Sequence, residues 1–125
     1  MSALAWIGFV VAAGSGATAR YLLDGWVQDR TPGVFPWGTM VVNVTGCFAL
    51  GLVVGLGRHH GLATTTVTIA GTGALGAYTT FSTFAVETVR LAEEDAPALA
   101  VRNVVGSVVV GVGAAACGLA LMAAV

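Results

Sequence analysis

The chain has no lysine, and charged residues make up only 9% of its 125 positions. Soluble domains carry about 25% charged residues, so a chain this poor in charge cannot cover a water-facing surface. The cations are five arginines, Arg20, Arg30, Arg58, Arg90 and Arg102, set against six acids for a net charge of -1. Without a basic surplus a nucleic-acid partner is disfavoured. The two histidines, His59 and His60, are neighbours beside Arg58 in a short polar stretch. No third ligand accompanies them, so they read as solvated loop residues rather than a metal site. With no histidine inside an apolar segment, acid–base catalysis by a membrane enzyme has little support. Cys47 and Cys117 both fall within apolar runs, where they read as small packing residues rather than a disulfide or metal pair.

Apolar sequence is what the chain has in abundance. Hydrophobic residues reach 57%, and mean hydropathy is +0.90. Four apolar segments run roughly from Leu4 to Leu23, Trp37 to Gly57, Ala63 to Leu91 and Leu99 to Val125. About 20 apolar residues are needed to cross the bilayer core as a helix, and each segment qualifies. The links, Asp24 to Pro36, Arg58 to Leu62 and Ala92 to Ala98, are short and polar. Trp26 and Trp37 flank the first link, as an interfacial aromatic belt would. The first segment lacks a basic start and its apolar part is too long for a signal peptide, so it reads as a retained helix. The expectation is an all-α membrane protein of four transmembrane helices, forming one domain over residues 1–125, in a cell membrane.

Glycine is the second abundance, with 18 residues. Gly51 and Gly55 form a small-xxx-small pair on the second segment, with Gly46 about one turn away on a related face. Close backbone approach of this kind drives helix association in lipid. The third segment departs from a regular helix, because Gly71, Gly73 and Gly76 weaken its interior. A break is predicted near Gly76 to Thr79. The carbonyls it frees are tolerated at membrane depth only if they find partners or line a wet cavity, and such breaks recur as cation sites. Gly71 to Gly76 also fits the G-x-G-x-x-G dinucleotide fingerprint, with Glu93, Glu94 and Asp95 about 20 residues on. That reading is rejected, because nothing else in the chain alternates strand with helix.

Directly after these glycines come Thr79, Thr80, Phe81, Ser82, Thr83 and Phe84. Four hydroxyls and two phenyl rings here lie inside an apolar span. Polar groups in hydrocarbon are costly unless paired or lining a polar path, so the run points to something polar that binds or passes. Phe81 and Phe84 are i, i+3 and share a helix face, which is also what core packing would produce. Asn43 in mid-span either pairs with a neighbouring helix or serves that path. Arg20, near one end of its segment, either snorkels to the interface or attracts anions to a vestibule. Glu87 is the one acid well inside an apolar segment, and its state, protonated or bonded to a hydroxyl, stays open.

Three motifs resemble those of the CrcB/Fluc fluoride channels. They are Gly14-Ser-Gly16-Ala-Thr-Ala-Arg20-Tyr21, Gly38-Thr39-Met-Val-Val-Asn43-Val-Thr-Gly46-Cys-Phe48, and Gly76-Ala-Tyr-Thr79-Thr80-Phe81-Ser82-Thr83-Phe84 followed by Glu87. The third is highly specific, the second moderately so, and the first is weak alone. The fourth segment matches loosely through Asn103, Ser107 and Gly118. The resemblance implies a passive fluoride exporter built as a dimer of two antiparallel subunits with two pores. It implies a structural sodium ion held at the break by the backbone carbonyls of Gly76 and Thr79. It implies pore-lining rings at Phe81 and Phe84, a nearby donor at Asn43, and a polar track including Ser82 and Thr83. Fluoride chemistry agrees. The ion is a tightly hydrated acceptor that must exchange water for donors, here the hydroxyls of Thr39, Ser82 and Thr83 and the Asn43 amide. Phenyl edges carry partial positive charge and can touch an anion without trapping it.

A small multidrug-type antiporter, the other dual-topology transporter of this length, needs a buried carboxylate on its first helix. Segment one has no acid before Asp24. An even number of spans puts both chain ends and the second link on one side. Arg58 falls there, while Arg30, Arg90 and Arg102 flank the other links, with Arg20 lying toward them. With Arg20 and Arg102 close to the membrane boundary the bias is moderate, so the expected partner is a second, inverted copy of the chain, with a sister chain of opposite charge bias as the alternative.

Overall fold

A computed structural model describes residues 1–125. The long elements are α1 (Ala3–Gln28), α2 (Trp37–His59) and α6 (Pro97–Ala124). All three are long and apolar enough to cross a membrane. Between α2 and α6 the third span covers residues 64–93 in pieces: α3 (Thr64–Val67), a π-helical stretch (Thr68–Leu75), α4 (Gly76–Tyr78) and α5 (Phe81–Glu93). There are no strands, and Gly71–Gly76 lies in helical backbone, so the dinucleotide fingerprint has no strand–turn–helix to sit on.

Two contacts tie the ends of the bundle together. At one end His60 Nε2 lies 2.9 Å from the Met122 carbonyl, bringing the second link to the end of α6. At the other, the Arg102 guanidinium stands over the Phe35 and Trp37 rings at 5.1 and 5.4 Å, bringing the start of α6 to the first link. The chain therefore makes four crossings, with both termini at one end.

Boundaries move where local chemistry moves them. α1 runs five residues past Leu23, through Gly25, because no proline interrupts it before Pro32. Its end lies tightly on α2: a Cβ at Gly38 would strike the Asp24 carbonyl and carboxylate, and the Gly38 N–H donates to Gln28 Oε1 at 3.2 Å. Pro97 opens α6 at a position whose N–H needs no helical partner.

Small residues set the helix spacing. α2 and α6 meet most extensively. A Cβ on Gly51 would collide with the Ala115 carbonyl, and one on Gly118 with the Phe48 carbonyl. Gly55 abuts Met122 of the same helix. Gly46 faces a different neighbour, Tyr78 and Thr79 of the third span. So α2 carries two close-approach faces: Gly51 and Gly55 toward α6, and Gly46 toward the break. Only 18 residues are buried in the single chain, which leaves most of α1, α5 and α6 to lipid or to a partner.

Candidate functional site

The break falls at the C-terminal end of the stretch predicted for it, at Thr79 and Thr80. Gly76 is still helical at φ -63, ψ -35, whereas Thr79 (φ -76, ψ 159) and Thr80 (φ -144, ψ 121) are extended. The glycines act upstream instead. Gly71 and Gly73 lie buried in the π-helical stretch, Gly73 against Phe9 and Gly71 against Leu50. A widened helix next to a break is a recurrent feature of functional sites.

Side chains from two other helices fasten the extended residues. Asn43, on α2, pairs with the peptide groups of Thr80 in both directions. Its Nδ2 donates to the Thr80 carbonyl at 2.9 Å, and its Oδ1 accepts from the Thr80 N–H at 2.8 Å. With the Thr80 N–H turned to Asn43, the Gly76 carbonyl loses its i+4 helical donor. One Nδ2 hydrogen of Asn43 remains for another acceptor. Arg20, half-buried on α1, donates from Nη1 to the Thr79 carbonyl at 3.3 Å. Its guanidinium thus reaches the middle of the third span instead of extending to the membrane surface. Thr79 also bonds back, Oγ1 to the Leu75 carbonyl at 3.0 Å. The Tyr78 hydroxyl lies 2.8 Å from Thr45 Oγ1; that threonine donates to the Val41 carbonyl, so the phenol is the donor.

Thr80 then caps the helix that follows. Its Oγ1 accepts from the Thr83 N–H at 3.2 Å and donates to the Thr83 hydroxyl at 3.0 Å, which satisfies an otherwise orphaned donor of α5. Ser82 Oγ lies 3.4 Å from Thr80 Oγ1. Phe81 and Phe84 emerge on one face with ring centroids 5.9 Å apart, tilted by 48°. Phe81 is 79% exposed in the single chain.

These groups border a cavity of about 360 Å3 at the break. Asn43, Gly76, Thr79, Thr80, Phe81 and Phe84 line it from α2 and the third span, with Ser107 of α6 and Cys47 beside them. Ser82 and Thr83 are not among its lining residues. Thr39 lies elsewhere: it is 3% exposed, and its hydroxyl donates to Glu87 Oε1 at 3.0 Å. Of the two possibilities for Glu87, the hydroxyl bond is present, while its Oε2 is buried with no partner. A smaller polar cavity of about 180 Å3, lined by Gln28, Glu87, Arg90 and Glu94, opens beside it near the first link.

Sequence reasoning missed Thr88 and gave Asn103 no role beyond a loose family match. Asn103 is 1% exposed and donates from Nδ2 to Thr88 Oγ1 at 2.9 Å, while Thr88 donates to the Phe84 carbonyl at 2.7 Å. This chain joins α6 to α5 just below the phenyl rings. The signal was an asparagine inside a valine-rich span, which is costly unless partnered.

A broken third span beside an amide- and phenyl-lined cavity, in a bundle of four crossings, defines a small multi-pass membrane protein with a polar site at membrane depth. The chain belongs to the CrcB-like family: the family model described as "CrcB-like protein, Camphor Resistance (CrcB)" matches residues 7–119. Among its relatives is "Fluoride-specific ion channel FluC 1" of Frankia casuarinae, 47% identical, with 96% of this chain and 97% of the relative covered. The protein of the same name from Leifsonia xyli subsp. xyli is 46% identical over 95% of this chain and 87% of the relative. "Fluoride-specific ion channel FluC 2" of Mycobacterium tuberculosis is 44% identical over 90% and 86%.

Proposed function

We propose that the chain is a fluoride-specific channel, in keeping with its relatives named fluoride-specific ion channels, and that fluoride leaves the cell through it passively. The observation that carries this reading is the placement of Asn43, Phe81 and Phe84 around one cavity at the break. An amide hydrogen left free by the Thr80 clasp and two tilted rings are weak, electropositive contacts. Such contacts take the place of fluoride's hydration water without holding the ion, which is what conduction requires.

The exposure of Phe81, at 79%, leaves a pore ring open on one side. A second subunit of inverted orientation closes it. The carbonyls of Gly76 and Thr79 suit a hard cation such as sodium: the first lacks its helical donor, and the second retains a lone pair beyond its bond to Arg20. Two carbonyls are too few for such an ion, and a paired subunit supplies two more. Held by these carbonyls, sodium would offset their partial negative charge; the chain's own contribution is to hold the break open with Asn43 and Arg20.

The test is fluoride efflux from liposomes containing the purified protein, with chloride as the control. Fluoride efflux without chloride efflux is expected. Equal efflux of both ions, or of neither even when an oppositely biased homologue is co-reconstituted, would overturn the reading.

A further inference from the structure

A break in a membrane helix leaves peptide groups that water cannot satisfy, and each must find a partner. At this break α2 supplies one partner and α1 the other. Asn43 takes both groups of Thr80, and Arg20 takes the carbonyl of Thr79. The α1 backbone is shaped for this. Gly16 lies one turn before Arg20 on the same face. A Cβ on Gly16 would collide with the Ala74 carbonyl and stand 3.2 Å from the Tyr78 nitrogen. The missing side chain lets α1 lie against the third span at the turn that ends in the break. Arg20, four residues on, is then directly beside Thr79. Its one hydrogen-bond partner in the chain is that carbonyl rather than a carboxylate.

We propose that Arg20 is a positioning residue that fixes the Thr79 carbonyl, and with it the course of the helix break that carries Phe81 and Phe84, rather than a charge that draws anions in from solution. A charge acting from a distance needs no hydrogen bond and no glycine beside it. A guanidinium seated on one carbonyl, on a helix brought close by Gly16, acts through geometry. The effect on conduction rests on the fluoride-channel reading; the effect on the break does not.

The experiment compares R20M, R20Q and R20K with the parent protein in lipid nanodiscs and liposomes. Hydrogen exchange of the amides from Thr80 to Thr83 is read together with fluoride efflux at ionic strengths of about 0.01 M and about 0.3 M, where screening lengths differ several-fold. R20M is expected to speed exchange across Thr80–Thr83. It is also expected to lower fluoride efflux about tenfold, equivalent to about 1.4 kcal/mol, by the same factor at both ionic strengths. R20K, which keeps reach and one donor, should recover much of both properties. If R20M does not fold, R20Q carries the same comparison. Parent-like exchange in the variants would overturn the proposal, as would an efflux deficit confined to low ionic strength. Should the parent protein pass no fluoride, alone or with an oppositely biased homologue co-reconstituted, the channel reading falls, and the exchange result alone decides the role of Arg20.

Discussion

At the scale of single residues, the site separates groups that face the cavity from groups that hold the backbone. Phe81 and Phe84 face the cavity, and Phe81 makes little use of packing within its own chain. Replacing either with isoleucine keeps apolar bulk but removes the electropositive ring edge. F81I and F84I are each expected to cut fluoride efflux more than about tenfold, or about 1.4 kcal/mol of barrier, with a parent-like elution profile in detergent. Undiminished efflux through both variants would remove the rings from the path. Asn43 belongs to both groups, since its amide clasps Thr80 and still has a hydrogen to offer. In N43D the acceptor for the Thr80 N–H survives, but the donor to the Thr80 carbonyl becomes an oxygen facing an oxygen. Leaving that carbonyl unpaired costs about 1–3 kcal/mol, so a lower unfolding temperature is expected together with lost efflux. A parent-like unfolding temperature would show that the clasp does not hold the break. All of these residues were legible in the sequence as polar or aromatic anomalies within apolar runs. Their roles were not: nothing in the order of residues says that Asn43 would bond to Thr80, or that Arg20 would cross to Thr79, because both bonds are set by how three helices pack.

At the scale of elements, the four spans could be read directly, since hydropathy over about 20 residues is the strongest signal a membrane chain carries. The break lies at the end of its predicted stretch rather than at the glycine, because glycine marks where a helix is weak, whereas the position of failure depends on which neighbour captures the freed groups. Asn43 captures Thr80, so Gly76 stays helical. Gly76 also has room for a side chain, with its nearest foreign atom from an added Cβ at 3.8 Å. The α2–α6 crossing is stricter. A side chain on Gly51 would enter the Ala115 backbone, while one on Gly113 of α6 would meet nothing within 4 Å. G51V is therefore expected to lose folded protein, because overpacking costs about 1–3 kcal/mol even where side chains can adjust, and a backbone carbonyl cannot. G113A should express and unfold as the parent does. Equal stability of G51V and G113A, measured by thermal unfolding in detergent, would show that the helices do not approach as closely as Gly51 requires.

At the scale of the whole molecule, what matters is which way the bundle faces. The His60–Met122 contact places the second link with the end of α6, and the stacking of Arg102 on Phe35 and Trp37 places the first link with its start. Arg30, whose guanidinium lies 4.3 Å from the centre of the Trp26 ring, is at that same first-link end, and Arg90 approaches it near the close of α5. Arg20 leaves the count, because it is committed to Thr79 in mid-span. Three arginines thus mark the end with the first and third links, and Arg58 alone marks the end with the termini. Positive charge favours the cytoplasmic side, so a bias of this size directs the first and third links inward and the termini outward. A chain that serves as both halves of an inverted pair needs nearly balanced ends. For a chain that works as one half of an inverted pair, this imbalance is the argument for a sister chain of opposite bias in place of the second copy expected from the sequence. Reporter fusions to the C-terminus are expected to read predominantly outside, and efflux from liposomes is expected to rise when an oppositely biased homologue is co-reconstituted. Equal reporter signals from the two sides, with full efflux from this chain alone, would instead establish the inverted homodimer.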